Sequence, residues 1–98
     1  MNIKTIQKKA EQVSGLLKAL SHPKRLLILC QLVQNELPVG ELAEAMGVRE
    51  STMSQQLSLL RKDGLVKNRR KGRTIYYSLA RTDIEKLIGF LYATYCKA

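Results

Sequence analysis

The chain has 98 residues, enough for one domain around one core and too few for two. Its 17 Lys+Arg against 8 Asp+Glu leave a formal charge of +9, a balance that points to nucleic acid, an anionic membrane surface or an acidic partner. The most apolar stretch, Leu26 to Cys30, is far too short for a signal segment or a membrane span, and no lipid-attachment motif is seen, so a cytoplasmic protein with no membrane contact is expected.

Ile6, Ala10, Val13, Leu17 and Leu20 recur at helical spacing and predict a first helix over about 4–20. Ser21 or His22 can cap a second, over about 22–34, with Pro23 in its first turn where a missing N–H costs little. This helix has Leu26, Cys30 and Val33 on one side and Ile28 and Leu32 on the other. A helix apolar nearly all round is a buried one. Pro38 ends a short extended link. Val39, Leu42, Ala43 and Met46 then predict a short helix over 39–46, closed by Gly47. The fourth, over 50–63, turns Met53, Leu57 and Leu60 inward and stops at Gly64, a natural left-handed cap.

From there the period changes to two. Ile75, Tyr77 and Leu79 alternate with Thr74, Tyr76 and Ser78, and residues 65–70 pair with them across a Lys71–Gly72 turn, giving a hairpin over 65–79. Thr82-Asp83-Ile84-Glu85 reads as a capping box that opens a last helix over 83–96, with Ile84, Leu87, Ile88, Leu91 and Tyr95 on one face. The expected fold is a single winged helix-turn-helix domain, mainly α with a small β-hairpin, in the order ααααββα.

A short helix, a tight turn and a second helix over 39–62 suggest a helix-turn-helix, with Ala43 and Gly47 allowing the two helices to cross closely. With Met53 and Leu57 inward, Ser51, Gln55 and Ser58 point outward and Thr52 and Ser54 lie on the flanks. Residues at the start of such a helix face base edges: Gln can bridge adenine, while Ser and Thr bond to bases or phosphates. Lys67, Arg69, Arg70, Lys71 and Arg73 follow on the hairpin with no acid among them, as a wing lying along phosphates requires. The expected partner is double-stranded DNA. The apolar stripes of the first and last helices exceed what the second helix can cover. A homodimer through those two helices is therefore expected, setting two recognition helices about one DNA turn apart.

The segments LLKALSHPKRLLILCQL, VGELAEAMGVRESTMSQQLSLLRKDGLV and RRKGRTIYYSL, together with the closing helix, resemble the ArsR family of winged-helix, homodimeric transcription regulators over nearly the whole chain. The resemblance implies that Ser51, Ser54 and Gln55 touch DNA and that the wing lies on the backbone. One departure stands out: Arg49-Glu50 replaces the family's usual Ser-Gln. A Ser N-cap is missing, and an acid stands where a DNA-contacting amide is common. Glu50 either accepts from a cytosine amino group or favours the positive helix end.

Many members of that family sense metals, but the ligand sets are missing here. Pro38-Val39-Gly40 stands where a thiolate pair would be needed, the last helix has no His, and His22 is the only histidine. No metal and no cofactor are expected, and a metal-responsive repressor is the less favoured alternative. No Cys-x-x-Cys suggests a thiol enzyme. Read alone, Cys30 and Cys96 are either inert fillers or reactive thiols. Their positions resemble the sulfide- and persulfide-responsive BigR/SqrR/HlyU branch of the family, and that resemblance implies that they form a redox-sensing pair with small reactive sulfur species as inducer. A bridge between them closes a loop of about 66 residues, worth roughly 4 kcal/mol in the chain-entropy model. A regulator or anti-silencing activator of the same fold without thiol sensing is the alternative.

Overall fold

The structure, a computed structural model, describes residues 2–96. Its elements are α1 (Ile3–Leu20), α2 (Pro23–Gln31), β1 (Leu37–Pro38), α3 (Val39–Met46), α4 (Glu50–Lys62), β2 (Val66–Lys71), β3 (Thr74–Leu79) and α5 (Thr82–Leu91), followed by a π-helical turn, Tyr92–Cys96. These helices and the hairpin build a winged helix-turn-helix. Among the described residues no helix is long and apolar enough to cross a membrane.

The core forms where the apolar faces of α2, α3, α4 and α5 meet the base of the hairpin. Ile28, Leu29, Leu42, Leu57, Leu60, Ile84 and Ile88 are wholly buried, and Tyr77 and Leu79 close the sheet side. Met53, Leu57 and Leu60 are inward on α4 as their spacing requires. Gly47 and Gly64 both take positive φ, at 66° and 76°. After each helix the backbone closes in the same way: Val48 donates to the Ala43 carbonyl at 3.0 Å and Leu65 to that of Leu60 at 2.9 Å. These six-to-one bonds satisfy the last carbonyls and let the chain reverse at once. The tight corners on either side of α4 follow from them.

Five local expectations are corrected. First, the extended link before α3 is a strand: Leu37 and Pro38 pair antiparallel with Tyr77 and Tyr76, making a three-stranded sheet of order β1-β3-β2. Second, α2 stops at Gln31 rather than near 34. Leu32 and Val33 donate to the Leu29 and Cys30 carbonyls, three residues back, and this tightening turns the chain towards β1. Leu27, moreover, is 52% exposed, so α2 is not buried all round.

Third, the hairpin loop is Gly72-Arg73, since Lys71 pairs with Thr74. Gly72, with φ 64°, occupies the first loop position, where a II′ turn takes glycine. Ile75 sits near this tip and is half-exposed because the hairpin runs past the core. Fourth, the capping box does not form. Thr82 is inside α5, Arg81 precedes it, and Asp83 accepts from the Ile84 N–H at 2.9 Å while pairing with Arg81. Fifth, α5 ends at Leu91, and the rest of the last helix widens into the π turn that carries Cys96.

Candidate nucleic-acid interface and thiol groove

Helix α4 presents Ser51, Thr52, Gln55 and Ser58 exposed and Ser54 half-buried. The four expected base-reading residues therefore share one surface at the helix start, fixed from behind by Met53 and Leu57. Arg25 on α2 braces the other end: its Nη1 donates to Asp63 Oδ2 at 3.0 Å and to the Ala19 carbonyl at 3.3 Å. Beside this surface His22, the N-cap of α2, and Lys24 in its first turn share a groove with Gln56. Lys24 escaped the sequence reading. Its signal was a cation in a first helical turn, where the dipole opposes it and some other purpose is needed.

The wing cations divide into two groups. Arg70, Lys71 and Arg73 are exposed around the tip, with Arg70 Nε donating to the Gly72 carbonyl at 3.0 Å and so stiffening the loop. Arg73 also lines a groove with Glu41, Glu44 and Glu50. Arg69 is different. Its Nε donates to both carboxylate oxygens of Glu36, at 2.8 and 3.1 Å, its Nη2 donates to Oε1, and its guanidinium lies 5.1 Å from the Tyr76 ring centre. Arg69, expected among the DNA-binding cations of the wing, is thus paired with an acid that the loop before β1 brings to it. The same contact holds the Glu36 carboxyl below its ordinary value, chiefly through the Arg69 hydrogen bonds.

Cys30 and Cys96 line one groove of about 300 Å³, with Leu27, Gln31, Gln34, Asn35, Leu37 and Tyr92. Both thiols are free; Cys30 is half-buried and Cys96 exposed. Burial raises the Cys30 thiol above its ordinary value, and the nearby Cys96 raises it further. Among the described residues no three of His, Cys, Asp and Glu gather where they could hold a metal ion.

Apolar side chains along α1 and on the last helix remain uncovered. Ile3, Val13 and Leu17 on α1, and Phe90 and Tyr95 near the C-terminus, are exposed large apolar side chains.

Residues 22–68 match the model of bacterial regulatory proteins of the arsR family. The chain is 41% identical over 98 residues to the transcriptional activator HlyU of Vibrio cholerae, covering 100% of this chain and 91% of that protein. The crystal structure of the transcriptional repressor BigR from Xylella fastidiosa superposes with a TM-score of 0.88 at 41% identity, over 97% of this chain and 94% of that one. A homodimeric winged helix-turn-helix DNA-binding domain from Mycobacterium bovis matches with a TM-score of 0.76 at 35% identity, over 90% of this chain and 82% of that one.

Proposed function

The chain belongs to the ArsR family of bacterial regulatory proteins, and from that premise we propose that its dimer binds an inverted-repeat operator and lets go when Cys30 and Cys96 are bridged by reactive sulfur. It is a DNA-binding transcriptional regulator and not an enzyme. Its relatives include both an activator and a repressor, so the sign of the response depends on where the operator lies in the promoter.

Ser51, Thr52, Ser54 and Gln55 read base edges in this account, and Arg70, Lys71 and Arg73 hold phosphates. Arg69 is set apart by its carboxylate partner. Dimerisation through α1 and the last helix covers the exposed apolar side chains and aligns two recognition helices; the homodimeric Mycobacterium bovis relative supports that arrangement. If the dimer engages roughly 6–10 phosphates, affinity falls on the order of 10³–10⁵-fold between 50 and 200 mM salt.

One observation carries the switch: two thiols 66 positions apart in the chain line one groove. A low-molecular-weight persulfide donates its outer sulfur to exposed Cys96 and leaves as a thiol. The Cys30 thiolate then attacks Cys96 Sγ itself, the Cys30–Cys96 disulfide forms, and the donated outer sulfur departs as hydrogen sulfide. The two protein thiols are oxidised by two electrons and the donor's sulfane sulfur is reduced. A second donor leaves one more sulfur in the bridge, with one more thiol released.

The test measures operator affinity by fluorescence anisotropy before and after persulfide treatment, with mass spectrometry of the bridge. Wild type should lose affinity on bridging. Cys30→Ser and Cys96→Ser should bind as the reduced wild type does and ignore the donor. Release of DNA by treated C96S would refute the pairing.

A further inference from the structure

We propose that the Glu36–Arg69 ion pair is the strut by which the state of the thiol groove reaches the wing, with Glu36 as the positioning residue. This rests on the thiol switch proposed above. Glu36 lies between Asn35 and Leu37, both of which line the groove that holds Cys30 and Cys96. Leu37 and Pro38 are stitched to Tyr77 and Tyr76 as β1, while the Glu36 carboxylate grips Arg69 through both oxygens. Arg69 sits opposite Tyr76 in the sheet and over its ring. One wall of the groove is therefore joined to the hairpin twice, by backbone pairing and by a two-pronged ionic contact.

The two joints differ in strength. Backbone pairing at β1 spans only two residues, so the strand can pivot. The ion pair is open to solvent, with Arg69 and Glu36 side chains 53% and 36% exposed, and its fork geometry tolerates little rotation. A direct disulfide draws Cys30 and Cys96 together, and a further sulfur must fit between them, so bridging alters the groove wall formed by Gln34, Asn35 and Leu37. Displacement of that wall carries Glu36, and Glu36 carries the Arg69 end of β2. The wing tip, with Arg70, Lys71 and Arg73, then swings from the phosphates it met in the reduced protein. Without the strut the wall is joined to the hairpin only through the two-residue β1 pairing, which can pivot.

The decisive variant is Glu36→Gln, which keeps the side chain's shape and removes its charge. Operator affinity is measured for the reduced and the persulfide-bridged protein, with bridging followed by mass spectrometry and folding by thermal unfolding. In wild type, bridging should weaken binding by at least about fivefold, and in E36Q by up to about fivefold less, the most an exposed ion pair can transmit, although the thiols still link. Glu36→Asp, which retains the charge, should restore much of the response. Arg69→Gln should lose it as E36Q does, and the double variant should respond no less than either single one. If E36Q links its thiols and releases DNA as fully as wild type, the strut is wrong while the switch stands. A wild type that fails to link its thiols, or links them and keeps its DNA, removes the switch and the strut together.

Discussion

The Glu50 carboxylate lies against Gly40: a β-carbon added at position 40 would stand 2.6 Å from its Oε1. This contact explains the acid at the start of the recognition helix. Neither Pro38, before α3, nor Arg49, before α4, offers a side-chain oxygen to cap its helix. Glu50 stands in the first turn of α4 and reaches the first turn of α3, so one negative charge serves two positive helix ends. In the proposed function that helix start faces DNA, where the charge would repel phosphate.

Glu50→Gln should accordingly tighten operator binding by roughly 2–5-fold, the size of one exposed ionic contact, and lower the unfolding midpoint slightly. Anisotropy titrations at fixed salt and a melting curve measure the two effects. Weaker binding by E50Q would mean that the carboxylate accepts a hydrogen bond from a base. Gly40→Ala probes the same contact from below. Alanine gains about 1 kcal/mol of helix propensity but must push Oε1 aside, so the full gain should emerge only in an E50A background.

Much of the geometry of this surface was legible in the sequence, for identifiable reasons. Met53, Leu57 and Leu60 obey a 3.6-residue period, and that alone turned Ser51 and Gln55 outward. Gly47 and Gly64 marked their corners because left-handed backbone favours glycine. What stayed hidden depended on partners distant in sequence. A two-residue strand has no period to detect, so β1 was missed, and with it the approach of Glu36 to Arg69. The Thr82–Glu85 pattern failed for a nearby reason: Arg81 draws the Asp83 carboxylate to itself, an interaction no capping template weighs.

Arg25 ties three helices at one point, joining the Ala19 carbonyl of α1 to Asp63 at the end of α4. Its side chain is 19% exposed and that of Asp63 45%, so the ion pair is partly screened. Arg25→Ala should cost about 1 kcal/mol, lowering the unfolding midpoint by roughly 4–8 °C for a domain of this size. Arg25→Lys, which keeps charge but not the fork, should recover part of that. Equal midpoints for R25A and wild type would show that the contact contributes nothing to the fold.

Val13 and Leu17 are each about half-exposed, at 51% and 52%, one turn apart on α1 and outside the core. Charge placed there should spare the folded subunit and block a partner's approach. The double variant Val13→Glu with Leu17→Glu should sediment as a monomer with near wild-type helicity. Its operator affinity should collapse, because a single recognition helix lacks the second half-site. A dimeric double variant would move the interface elsewhere, most directly to Phe90 and Tyr95.

The pH dependence of bridging follows from the unequal thiols. Burial, and then the nearness of Cys96, raises Cys30 above the ordinary thiol value. Its proton is therefore held more tightly in the folded protein than in the unfolded chain, and fold stability is lost as pH rises through the folded value. Reactivity runs the other way. Cys30 closes the bridge as a thiolate, so at neutral pH the closing step is slower than an exposed thiol would make it. Quenched time courses read by mass spectrometry should show the closing rate climbing about tenfold per pH unit and still rising beyond roughly pH 8.5, where an ordinary thiol levels off. A plateau below that pH would show that attack by the Cys30 thiolate is not the closing step.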